Sequence, residues 1–160
     1  MKRLLTAALL VFSLTTVTHG DDTSLEKAKD LFTKYVQYEH DYDAALTNLY
    51  SDTAVIQNTR HYATGGQRVL IIPVKDYKQI IQKVMPLAKE QGDRSTYSGA
   101  TYVVEGKNVR ITAACYSELK KYSTPISILV GLDSTGKWMI LEELSDSLSQ
   151  SAPSSNDAAR

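Results

Sequence analysis

The chain has 160 residues, with 18 basic and 18 acidic side chains, ten Tyr, two Phe and a single Cys. That length suits one domain with one core, and balanced charge without a basic stripe excludes an electrostatic surface for nucleic acid or anionic lipid. One thiol cannot form an internal disulfide, so stability must come from packing. Cys115, set in VRITAACYSEL, reads as a small apolar core residue.

Residues 1–20, MKRLLTAALLVFSLTTVTHG, place Lys2 and Arg3 before an apolar run that ends in small and polar residues. This order is that of a secretory signal peptide, too short and too polar at its far end to remain as a membrane anchor. The expected mature protein is exported, periplasmic or secreted. Without Lys2 and Arg3 it carries 16 basic and 18 acidic residues, a formal charge of −2.

Thr23-Ser24-Leu25-Glu26 has the form of a capping box, followed by helical spacing of Leu25, Ala28, Phe32, Tyr35 and Val36. Asp41 is positioned to cap a second, short helix in DYDAALTNLY. SDTAVIQN is β-branched and starts in a turn, so a strand follows. Gly65-Gly66 separates TRHYAT from QRVLII and predicts a hairpin. After Pro73, helical spacing returns through Tyr77, Ile80, Ile81, Val84 and Ala88, with a kink or early end expected at Pro86.

From Tyr97 onward, YSGATYVVEG, NVRITAACYSEL, TPISILVGL and KWMILEEL form strands joined by short turns, an antiparallel meander. Residues 148–160 are small and polar and predict a disordered tail. The domain proper spans residues 21–147. Its expected class is α+β, three helices on a curved, mainly antiparallel sheet that forms a cone with an internal pocket. Ile126, Ile128 and Val130 lie on one side of their strand and Leu129 and Gly131 on the other. A sheet apolar on both faces needs two covers, which points to a homodimer through the face of Ile126, Ile128 and Val130.

The long helix, the D-x-x-A-L-x-x-L-Y pattern, the S-D-T-A-V-I strand and the closing GKWMILEELSD together resemble the nuclear-transport-factor-2-like superfamily. That group includes the SnoaL-like cyclases and the ketosteroid isomerases. The resemblance runs from Thr23 to about Ser147. It implies a cone with a pocket between helices and concave sheet. Against the isomerases, K-Y-V puts Tyr35 at the oxyanion tyrosine, A-V-I-Q-N puts Asn58 at the general base, and Pro125-Ile126-Ser127 puts Ser127 at the second oxyanion donor. By the same resemblance Met139, Leu141, Glu143 and Tyr116 face the pocket.

A carboxamide has no basic lone pair at neutral pH, so Asn58 cannot abstract a proton from carbon. It retains a donor and an acceptor for orienting a ligand. The resulting site has five ligand-binding candidates, Tyr35, Asn58, Tyr116, Ser127 and Glu143, with no catalytic residue assigned. Glu143 is either a buried acid or a frayed, solvated one. Glu39, His40, Asp41 and Asp43 sit too close in sequence to converge on one ion, so no metal and no cofactor are expected. His61 reads as a surface residue.

Three functions fit. The favoured one is an exported, non-catalytic domain that holds a small, largely apolar molecule in the cone. The others are an isomerase, dehydratase or cyclase with a non-standard base, and an exported protein-interaction module. N-terminal sequencing of exported material should find a mature chain that begins near Asp21. Recovery of only an intact Met1 chain from the cytoplasm would contradict export.

Overall fold

The computed structural model describes residues 20–149. Residues 1–19 of the expected leader, and the tail beyond Ser149, lie outside the described residues. α1 (Gly20–Asp41) leads into a six-residue 3₁₀ helix (Ala44–Leu49). Then follow β1 (Tyr50–Tyr62), β2 (Gln67–Ile72), α2 (Val74–Gln91), β3 (Ser95–Glu105), β4 (Asn108–Ser117), β5 (Tyr122–Leu132) and β6 (Trp138–Ser149). No helix among the described residues is long and apolar enough to cross a membrane.

The strands form one six-stranded sheet in the order β2-β1-β6-β5-β4-β3. β1 and β2 make the hairpin announced by Gly65-Gly66, and β3 to β6 make the meander. The two units join where β6 pairs with β1 in parallel. This is an α+β architecture, with the helices on one face of a mainly antiparallel sheet.

α1 buries Ala28, Leu31, Phe32 and Tyr35, the stripe that helical spacing predicts. Phe32 stacks on Tyr35 at 6.0 Å and meets Tyr97 and Tyr102 edge-on. α2 buries Ile81 and Met85, one turn apart. Beneath the helices lie Ile56, Ile111, Ile128, Val130 and Ile140, each 1% exposed or less. Full burial of such a side chain contributes about 2 kcal/mol.

Four expectations need correction. α1 is already helical at Gly20, so Thr23 lies within the helix and does not cap it. The short helix is capped by Asp43, whose carboxylate accepts from the Ala45 N–H at 2.8 Å; Asp41 instead ends α1. Of the kink or early end expected at Pro86, the early end does not occur, because α2 continues to Gln91. Pro86 sits on the exposed side of the helix, where water can bond the carbonyl that its missing N–H leaves free.

The fourth correction concerns the sheet. Ile126, Ile128 and Val130 are 6%, 1% and 0% exposed and belong to the core under the helices. They cannot form a face for a second subunit. The outer face instead carries Val55, Val69 and Ile71, exposed at 48%, 50% and 64%. β6 also continues through Leu148 and Ser149, which pair with His61 and Tyr62 where the tail was expected to begin.

Candidate functional site

Glu143 lies in the middle of β6, across from Ile56 of β1 and Ile128 of β5. Its row therefore points inward, and the residue is 2% exposed. A carboxyl in that position needs partners. The Tyr50 hydroxyl donates to Oε2, and the Tyr77 hydroxyl donates to Oε1 at 2.7 Å. A third hydroxyl, that of Tyr35, faces the same carboxyl.

These tyrosines come from α1, from the start of β1 and from α2. Each lies in its element's apolar stripe, so the packing that buries the ring also delivers the hydroxyl. Burial pushes the Glu143 carboxyl above its usual range, and the hydroxyl bonds pull partly back. Burial and the charge of Glu143 hold Tyr35, Tyr50 and Tyr77 well above the usual phenol range, so all three remain donors.

Beside this cluster a cavity of about 220 Å³ opens between α1, α2 and the start of β3. Ile80, Ile81, Val84 and Met85 give it an aliphatic wall, and Glu39, Tyr77 and Ser95 give it polar groups. Glu39 as a whole residue is only partly buried, but its carboxyl end is enclosed. Burial, then the charge of Glu143, raise that carboxyl to about 7 against the counter-effect of bonds from Ser95 and Tyr97. Glu39 can therefore exchange a proton near neutrality, while both oxygens of Glu143 are already taken.

Of the five sequence candidates, the structure brings Tyr35 and Glu143 together. Asn58 also points inward, in the row of Ser145, Ile126 and Ala113. Its amide nitrogen donates to the Ser145 hydroxyl at 3.1 Å, and the Ser147 hydroxyl donates to its carbonyl oxygen at 2.8 Å. Both ends of the carboxamide are engaged within the sheet. Ser127 lies on the outer face, because it alternates with the buried Ile126 and Ile128. There it meets Arg110, which also pairs with Glu142 and Glu105. Tyr116 alternates with the inward Cys115 and is 37% exposed on that same outer side.

The sequence reading missed Tyr50, Tyr77 and Glu39 as site residues. Its one signal was the bias of ten Tyr against two Phe. A buried phenol requires a partner, and a buried carboxyl supplies one. Met139 and Leu141 were expected to share the Glu143 face. A register shift between Leu129 and Val130 lets Ile140 and Glu143 both point inward, with Leu141 as the extra residue between them. His61 forms a 2.9 Å pair with Asp146 at the outer face. Among the described residues no group of His, Cys, Asp and Glu could hold a metal ion. A larger, open groove of about 500 Å³ lies on the outer side near Gln57, Ser127 and Leu144, away from the buried acids.

Helices laid over one face of a strongly curved sheet, with a buried acid beneath them, define a cone-shaped α+β protein. No protein-family profile matches the chain, and no curated protein matches it. Solved structures do. A nuclear-transport-factor-2-like protein of unknown function from Pseudomonas putida aligns with TM-score 0.58 at 12% identity, over 79% of this chain and 87% of that one. A nuclear-transport-factor-2-like protein with a cystatin-like fold from Novosphingobium aromaticivorans aligns over 91% and 97%, with TM-score 0.54 and 13% identity. A Shewanella frigidimarina protein whose name proposes a ketosteroid isomerase aligns over 74% and 94%, with TM-score 0.54 and 14% identity. The chain has the nuclear-transport-factor-2-like fold, and at these identities the likeness is one of fold.

The Glu39 carboxyl gives a pH prediction. In the unfolded chain it titrates near 4.5 and in the folded protein near 7. Between those values the native state holds a proton that the unfolded state has lost, so stability falls as pH rises through the window. Glu39→Gln removes this loss. Relative to the parent it should gain about 2 kcal/mol between about pH 5 and pH 8, a figure reduced for partial solvent screening. Denaturant unfolding of both proteins at the two pH values checks this, and a pH-independent difference would contradict it.

Proposed function

We propose that the protein is an exported, non-catalytic binding domain that holds a small, largely apolar ligand between α1, α2 and the start of β3. The observation that carries this reading is the cavity of about 220 Å³, aliphatic on its α2 side and polar at Glu39, Tyr77 and Ser95. Small-molecule sites combine apolar walls with a few convergent polar groups in this way. The volume falls below the usual range of roughly 300–1,000 Å³, so the ligand is correspondingly small. Catalysis is the weaker reading. The position that resembles the isomerase base is an amide held by two serines, and Glu143 has both oxygens bonded to tyrosines.

Benzyl alcohol is a suitable neutral probe. Added to the protein, it should shift the amide NMR signals of Ile81, Met85 and Ser95. Ala88→Trp, which fills the cavity from its rim, should abolish those shifts while the circular dichroism stays that of the parent. No shift at these amides up to the solubility limit would reject the cavity as a ligand site.

Self-association belongs to the same proposal, through the outer face and not the buried one. Val55 of β1 and Val69 and Ile71 of the adjoining β2 leave apolar side chains about half exposed on one side of the sheet. Soluble monomers usually avoid contiguous patches of this kind. Analytical ultracentrifugation should show a dimer that Ile71→Lys converts to a monomer, whereas Ile128→Lys should fail to fold. A parent that sediments as a monomer at micromolar concentration would rule out the dimer.

A further inference from the structure

The chemistry of the cavity lining goes further than its size. No Lys, Arg or His among the described residues lines it, while Glu39 and Asp93 both do. Among the described residues the ion pair to these acids is that of Lys120, whose Nζ stands 4.0 Å from Asp93 Oδ2 on a side chain 54% exposed; Arg94, the chain neighbour of Asp93, is partly buried with its Nε lacking a hydrogen-bond partner. Asp93 Oδ1 accepts from the Ser117 hydroxyl at 2.9 Å, so that acid is partly committed. Glu39 has no cationic partner.

Two tyrosine rings, Tyr42 and Tyr77, share the lining with these acids. The backbone at Tyr42 is left-handed, with φ 56°, at the end of α1. Glycine normally takes such a helix-ending position, and a bulky residue there is strained. What the tyrosine gives in return is a ring on the cavity wall. Acidic groups, aromatic faces and an aliphatic floor are the elements that recognise an ammonium head on an apolar body.

Resting on the binding reading above, we infer that the ligand of this cavity is an organic cation, an amine or quaternary ammonium, whose charge meets Glu39 and the rings of Tyr42 and Tyr77 while its apolar part lies against Ile80, Ile81, Val84 and Met85.

Charge accounting around Glu39 points the same way. From β6 it faces Glu143, from β3 Tyr97 and Ser95, from the loop before β3 Asp93, from α1 Tyr35, from α2 Tyr77, and from β4 Cys115. Every group in that set is neutral or negative at neutral pH, and Lys120 reaches it only through Asp93. A bound cation supplies the missing positive charge and favours the ionised Glu39. Binding therefore releases a proton, and affinity rises with pH through about 7.

Benzyltrimethylammonium and benzyl alcohol form a matched pair, because the first keeps its charge at every pH and the second is neutral. Titration calorimetry, with amide shifts to locate the site, should show the cation binding about tenfold more tightly than the alcohol at about pH 8. Its affinity should fall by about tenfold toward pH 6, as Glu39 takes up a proton, while that of the alcohol stays level. Glu39→Gln should erase both the preference and the pH dependence. If the alcohol enters the cavity and the cation binds no better, the inference fails and the binding reading stands. If neither probe moves the cavity amides, both fall together.

Discussion

The fold depends on placing one carboxyl group, that of Glu143, in a core where nothing else can solvate it. Left alone, such a group would cost several kcal/mol or remain protonated. Here Tyr50 and Tyr77 each donate to one of its oxygens, and Tyr35 faces it from α1. The three donors sit on three separate elements, and the acceptor sits on a fourth. Loss of one hydroxyl would leave a charge-assisted bond unmade in a dry site, a cost of about 1–3 kcal/mol. The network thus ties both helices to the seam of the sheet more specifically than apolar contact alone does.

That arrangement also decides where a ligand can go. Three tyrosine side chains converge on the buried acid, and a cavity lies beside them where α1 ends and β3 begins. The charge at the bottom is felt there, because Glu143 is one of the groups that raise the Glu39 carboxyl. Structural acid and cavity acid are therefore coupled. The first is locked by its donors, and the second is left with a proton to exchange.

Much of the architecture was legible from spacing. The stripe of Ala28, Phe32 and Tyr35, the Gly65-Gly66 hairpin and the late meander are all local patterns, and local patterns survive folding. Errors arose where tertiary context outweighed a local cue. Thr23 and Glu26 match a cap, yet the helix is formed upstream of them. Pro86 lacks a backbone donor, yet on the exposed side of α2 it is carried within a helix that runs on to Gln91. In the site, Tyr35 and Glu143 were legible through family resemblance. Tyr50 and Tyr77 were not, since a tyrosine in an apolar stripe looks the same with or without a buried acceptor.

The deepest limit on legibility was parity. Strand alternation assigns each residue a face, and one inserted residue reverses every later assignment. β6 contains such a shift at Leu141, between Ile140 and Glu142. Counted without it, Ile140 inward would put Glu142 inward and Glu143 outward. That outcome would bury the acid that now pairs with Arg110 on the outer face and expose the one that now holds three tyrosines. Adjacent glutamates of identical chemistry are thus sent to opposite fates by one backbone irregularity. The two partner sets fix the choice, because a guanidinium can follow Glu142 only on the wet face and three phenols can serve Glu143 only on the dry one. The same reversal operates in β3, where the irregularity between Ser98 and Thr101, with Gly99 at φ 65°, lets both Tyr97 and Tyr102 reach Phe32. Both irregularities lie on strands flanking the core, and each turns inward a polar-tipped side chain that simple alternation would have sent to solvent. The polar interior of this cone is consequently a product of its sheet defects as much as of its composition.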